Sequence, residues 1–242
     1  MLPAIVVIGP PKSASTYVCS ALSETLRIPR VQPESRGILY HQIQSKEPYD
    51  GLRSDVVVYP HARATEYNLN LLHYRGVRRF VLLVRDPRDS IVPWFHHQER
   101  YNEPWHVAMG ASAGLHSISY PELDRRGKLE ELIELGFPQF QDWLRLWAQV
   151  VDADDRFTIH VERYEDFVTN SVSELQAILS FFGRTTAPVP PEIKSAALGE
   201  DGNMTFRRGL AGAYRDELAA DQIARLNQPA DTELYRRFGW II

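Results

Sequence analysis

VVIGPPKSAST, residues 6–16, joins an apolar run to a loop that holds Gly9, Pro10, Pro11, Lys12 and a cluster of hydroxyls. Ala4–Ile8 is apolar without alternation, as expected of a strand covered on both faces. Val18, Ala21, Leu22 and Leu26 then recur at helical spacing until Pro29 stops the pattern. A strand, a loop and a helix therefore follow one another. The helix N-terminus turns free N–H groups and the positive end of its dipole toward any anion in the loop. Lys12 adds a point charge there, and Ser13, Ser15 and Thr16 add hydroxyl donors. The nucleotide-binding pattern G-x-x-x-x-G-K-[ST] does not fit, because Lys12 stands only three residues after Gly9 with no second glycine before it. The same residues also suit a plain strand–helix turn, with Ser13 as N-cap and Lys12 in solvent.

Working outward, DVVVY (55–59) and RFVLLV (79–84) read as buried strands and RFTIHV (156–161) as a fourth. FPQFQDWLRLWAQVV (137–151) is an amphipathic helix, and SVSELQAILSFFG (171–183) is another that ends at Gly183. Asp86 suits the N-cap of a helix with Pro87 at its first position. Residues 101–136 have weak periodicity and scattered glycines, which suggests an insertion or lid, and 185–213 is a long irregular segment. Strands alternating with helices predict a single α/β domain over residues 1–242, a central parallel sheet flanked by helices. Such sheets bind ligands at the carboxyl ends of their strands. The loop at 9–16, His61 and Arg85 all fall at such ends. Arg85 has the planar fork that grips phosphate, and a capped helix needs no arginine before it.

With 242 residues and 44% hydrophobic content the chain can bury a full core. Its net charge of −4 gives no overall attraction to nucleic acid or to an anionic membrane, so any anion is bound locally. The single cysteine, Cys19, excludes an intramolecular disulfide and a multi-cysteine metal site, and its place in the helix pattern suits a small core residue. The N-terminus has no basic n-region and no segment reaches membrane-spanning length, so the expectation is a soluble cytoplasmic protein.

Four stretches carry a resemblance to the PAPS-dependent sulfotransferases, and they fall in the order that family has. PPKSASTY is similar to the family's PKSGTTW loop, and VRDPRDSIVPWFHH to its RNPKDxxVSxxxF segment. RYEDF (163–167) resembles its YED stretch, and FRRGLAGAYRDEL (206–218) its RKGxxGDWKxxF segment. The resemblance implies a P-loop-NTPase-like architecture and transfer of a sulfuryl group from PAPS to a small-molecule hydroxyl or amine, releasing PAP, with no metal. It implies that Lys12 contacts the phosphosulfate, with Ser13, Ala14, Ser15 and Thr16 as the rest of that loop. Tyr17 matches a tryptophan that packs on adenine, and Tyr164 a tyrosine near the adenine and 3′-phosphate. Arg85 matches the arginine that holds the 3′-phosphate, while Arg207, Arg208 and Gly209 match the segment that wraps it. His61, just after a strand, matches the usual catalytic base, with His41, His96 and His97 in reserve.

Besides Tyr17, three positions depart from the family pattern. Ala14 replaces a glycine, Ser15 a threonine, and Pro93 the 3′-phosphate serine. Ser90, one turn earlier on the same helical face, could supply the lost hydroxyl, and Pro93 should break a backbone bond and kink its helix. Two other readings compete: a P-loop kinase or NTPase, with Asp86 holding Mg²⁺, and a nucleotide-binding module without activity. The acceptor is not readable. Trp105, His106, His116 and Tyr120 could line its pocket or pack locally.

Overall fold

The computed structural model describes residues 4–31, 56–58, 60–185, 189, 210–228 and 231–240. His41, Arg207, Arg208 and Gly209 lie outside the described residues. So does most of the segment expected to be irregular at 185–213.

The chain runs β1 (Ile5–Ile8), α1 (Ser15–Leu26), β2 (Arg30–Val31), β3 (Val57–Val58), α2 (Glu66–Tyr74), β4 (Arg79–Val84) and α3 (Arg88–Arg100). It continues through α4 (Pro104–Ser112), α5 (Arg125–Glu131), a π-helical turn (Leu132–Gly136), α6 (Phe137–Ala153), β5 (Thr158–Arg163), α7 (Tyr164–Thr169) and α8 (Ser171–Phe181). Two short helices, α9 (Ala220–Asn227) and α10 (Thr232–Arg237), follow. The strands form one sheet in the order β2-β3-β1-β4-β5, and every pairing is parallel. This is the α/β architecture that the alternation of strands and helices predicts.

The uninterrupted apolar runs of β1 and β4 are explained by two cores. Val6, Ile8, Leu82 and Val84 face α2, α6 and the C-terminal residues Tyr235 and Trp240. Ile5, Val7, Val81 and Leu83 face α1 and α8, where Cys19 is fully buried as a core residue. Successive side chains point to opposite faces of a strand, so a sheet covered on both faces needs apolar residues at every position. A third cluster joins Ile91, Val92 and Phe95 of α3 to Leu115, Tyr120, Leu129 and Leu132. Much of 101–136 is therefore helical and packs on α3. No helix among the described residues is long and apolar enough to cross a membrane.

β2 and α2 were not among the sequence readings. β2 is two residues long, too short for any periodicity. The start of α2 is signalled by Thr65, whose hydroxyl accepts the Asn68 N–H at 3.3 Å as an N-cap. α3 runs through Pro93 to Arg100 as one helix.

Candidate active site

The register pairs Ile8 with Leu82, so the loops leaving β1 and β4 lie side by side. Gly9 is needed there. A Cβ on it would lie 2.6 Å from Ser13 Oγ and 3.2 Å from the Leu83 backbone oxygen. Ser13 is not the N-cap that its position suggests. Its Oγ donates to the Pro10 carbonyl at 2.7 Å, which folds the loop on itself. The residue before α1 is Ala14, and it makes no side-chain cap. The first N–H groups of α1, at Ser15, Thr16 and Tyr17, thus face the loop without a side-chain oxygen from the cap position. Lys12 and Ala14 both take left-handed φ values, 68° and 66°, although neither is glycine. That backbone turns the chain tightly around the helix end.

Lys12 is not a solvated side chain. Burial of its ammonium, and next the charge of Arg85, lower its pKa from 10.5 to about 7. Its Nζ lies 5.9 Å from the centre of the Trp94 ring. Arg85, 7% exposed, donates from Nη1 to the Lys12 carbonyl at 2.5 Å. Its guanidinium carbon sits 4.0 Å from the centre of the Tyr164 ring. Its Nε is buried and has no hydrogen-bond partner among the described residues. A buried donor of that kind has a lone pair to find, and an anion supplies one. Ser90 is buried in the first turn of α3, five residues after Arg85 in sequence. Tyr17 meets Phe167 edge-on, with ring centres 5.6 Å apart.

Asp86 does receive the Arg88 N–H at 2.9 Å, as a capping residue should. It is also gripped by the Arg88 guanidinium at 2.6 and 3.0 Å, and Arg88 reaches Asn227 with Nη1 at 2.9 Å. The carboxylate is thereby committed to structure.

His61 follows β3 in a segment clamped from below. The carbonyl of the next residue, Ala62, accepts the indole N–H of both Trp143 and Trp147 at 3.0 Å. His61 Nδ1 lies 2.8 Å from the Gly9 carbonyl. A carbonyl only accepts, so Nδ1 carries the proton and the lone pair is on Nε2. The reserve histidines separate. His96 pairs with Glu217 at 3.2 Å. His97 lies within electrostatic reach of both Lys12 and His61, and burial together with these neighbours lowers its pKa to about 3.

The aromatic residues of 101–136 divide as well. His116 and Tyr120 are buried, stack at 4.5 Å, and belong to packing. A Cβ at Gly110 would overlap the His116 ring, so that ring fills its space completely. His106 instead sits beside Tyr101 and His97, and Trp105 lies against His106.

The family model of the sulfotransferase domain matches residues 2–238. The chain belongs to the sulfotransferase family. No curated protein sequence matches it significantly. Among solved structures, mouse sulfotransferase SULT7A1 complexed with PAP superposes with a TM-score of 0.60 at 15% identity, covering 97% of this chain and 84% of that one. A sulfotransferase from Alicyclobacillus acidocaldarius gives 0.54 at 12% identity, over 100% and 98%. Retinol dehydratase in complex with androsterone and inactive cofactor PAP gives 0.53 at 14% identity, over 98% and 81%. At such identities the likeness is one of fold, and the fold of this sulfotransferase agrees with theirs.

Two residues beside Lys12 and Arg85 escaped the sequence reading, Asp89 and Trp94. Asp89 of α3 accepts the Gly212 N–H at 2.6 Å and the Tyr214 N–H at 3.3 Å, tying that turn beside Arg85. Nothing in the sequence near Asp89 signals a partner so far along the chain. Trp94 gave no local signal, since its meeting with Lys12 depends on how α3 lies across the loop, whereas His97 stood in the sequence only as a reserve base.

Proposed function

We propose that this sulfotransferase moves a sulfuryl group from PAPS to a hydroxyl or amine of a small molecule and releases PAP. The observation that carries the reading is the convergence at one edge of the sheet of Lys12, the N-terminus of α1, His61 and an Arg85 Nε without a hydrogen-bond partner among the described residues. All but His61 are cationic or N–H donors, so the site suits a ligand with several anionic oxygens. The PAP in the mouse and retinol dehydratase complexes supports the same donor.

PAPS would bring a sulfuryl group activated by its link to phosphate. Lys12, with Ser13, Ala14, Ser15 and Thr16 around the start of α1, would hold the phosphosulfate. Lys12 takes up its full charge when an anion arrives and offsets the negative charge that grows on the bridging oxygen as the S–O bond breaks. Arg85, Ser90, Arg207, Arg208 and Gly209 hold the 3′-phosphate, while Tyr17 and Tyr164 flank the adenine. His61 Nε2 takes the acceptor's proton, and the Gly9 carbonyl on Nδ1 keeps the ring in the tautomer and direction that this requires.

Thermal unfolding with PAP, with ADP plus Mg²⁺ and with no ligand tests the reading, followed by turnover with PAPS. Stabilisation by PAP without Mg²⁺, together with turnover, is expected. Stabilisation by ADP–Mg²⁺ alone would give the kinase reading, and PAP binding without turnover on a broad acceptor panel would give the inactive module.

A further inference from the structure

His61 lies beyond the end of β3, a strand of only two residues, Val57–Val58. A strand so short and already ended does little to fix the direction of the ring. The grip comes from α6. Gln139, Trp143 and Trp147 recur at four-residue steps, which places them along one face of that helix. Both indole N–H groups donate to the Ala62 carbonyl at 3.0 Å, and the Gln139 side-chain oxygen accepts from Arg63 Nη1 at 3.1 Å. One helix face thus holds the two residues after His61 by their side-chain and backbone polar groups. From α2, Asn68 Nδ2 donates to the Arg63 carbonyl at 2.8 Å.

Two donors on the Ala62 carbonyl exceed what burial alone requires, since one hydrogen bond satisfies a buried acceptor. Both tryptophans are buried, and their rings are themselves wedged. Trp147 meets Phe80 of β4 edge-on with ring centres 5.5 Å apart, and Trp143 lies 6.0 Å from Trp147. Two fixed donors define the direction of a carbonyl that one would leave free to swing. A fixed carbonyl sets the planar Ala62–Arg63 peptide, and with it the backbone from which His61 Nδ1 reaches the Gly9 carbonyl at 2.8 Å. A proton acceptor loses rate steeply when it is displaced by a fraction of its bond length, so such rigidity bears on turnover.

We infer that Trp143 and Trp147 are positioning residues for His61, their paired N–H groups keeping its ring on the Gly9 carbonyl. The inference rests on the assignment of His61 as the base. The test uses Trp143→Phe, Trp147→Phe and the double variant, which keep a ring and remove one or both donors. Each single variant leaves the Ala62 carbonyl one donor, so no buried acceptor is orphaned there. The ¹⁵N shifts of the His61 ring at alkaline pH, assigned by difference from His61→Ala, report its neutral tautomer without any acceptor. Wild type should show the Nδ1–H form alone. Each single variant should mix in the Nε2–H form, and the double variant more of it. With PAPS and the first acceptor turned over in the panel above, kcat should fall roughly tenfold or more in the double variant. KM for PAPS and PAP affinity should stay within a few-fold, a split that general loss of structure does not produce. Single variants that keep the wild-type tautomer and kcat would overturn the inference, whether or not the double variant folds. So would a wild-type ring in the Nε2–H form. Full turnover by His61→Ala would instead remove the base assignment beneath it, and the ¹⁵N shifts would still decide the clamp.

Discussion

The Asp89 carboxylate accepts the Gly212 N–H at 2.6 Å, linking the first turn of α3 to a residue far along the chain. Gly212 has a φ of 79°, so the turn it makes is one that glycine adopts without strain. Asp89 is 2% exposed, and burial raises its pKa while Arg85 and the Gly212 N–H oppose that shift. The bond anchors the turn that follows Arg207, Arg208 and Gly209 in sequence.

If that segment and Arg85 together bind the 3′-phosphate, Asp89→Ala should weaken PAP at least tenfold, and Arg85→Ala by a similar factor, a contact to charge being worth about 1.5–3 kcal/mol. Ser90→Ala should weaken it less. Titration calorimetry with PAP and with an analogue lacking the 3′-phosphate separates this from general damage. Equal losses for both ligands would contradict a 3′-phosphate role.

Lys12→Ala should lower kcat by about 10²–10³ and PAP affinity by much less, because the growing charge exists only in the transition state. Circular dichroism would confirm that the fold persists. A variant within a few-fold of wild type would give the lysine another task.

The lowered pKa of Lys12 has a further consequence for stability. Unfolded, the side chain titrates near 10.5, and folded it does so at about 7. Between these values the unfolded chain binds more protons, so this group makes the ligand-free protein more stable as pH rises from 7 toward 10. The difference in unfolding free energy between wild type and Lys12→Met should grow in the wild type's favour over that range. PAP binding should show the opposite trend, with proton uptake near pH 7 and weaker affinity above it. A flat difference would mean that the ammonium is as well solvated as in the open chain.

His61→Ala should abolish turnover while PAP affinity stays within a few-fold of wild type, since Nε2 is assigned to the acceptor. Full activity in that variant, with loss in His97→Ala, would move the base to α3.

Ala14 occupies a conformation that costs a side chain about 1–2 kcal/mol, against which glycine's greater freedom in the unfolded chain weighs about 0.5–1 kcal/mol. Ala14→Gly should therefore stabilise the protein by up to about 1 kcal/mol in urea unfolding. Destabilisation would show that the methyl group packs usefully in the loop.

The runs Ala4–Ile8 and Phe80–Val84 already pointed to two strands buried on both faces, because short runs apolar at successive positions suit strands of a sheet covered on each side. They also placed Lys12 and Arg85 at strand ends, since each residue directly follows or nearly follows its run. Trp105, His106, His116 and Tyr120 were alike in sequence, and only packing separated the pair at the start of α4 from the pair in the core. Likewise, nothing local shows that His61 Nδ1 donates to Gly9 or that Asp89 holds Gly212. Nor does anything local lower Lys12 to about 7. Each of these depends on desolvation and on partners from distant parts of the chain. Sequence periodicity reports which face of an element is buried, and only the assembled sheet and helices decide what that face meets.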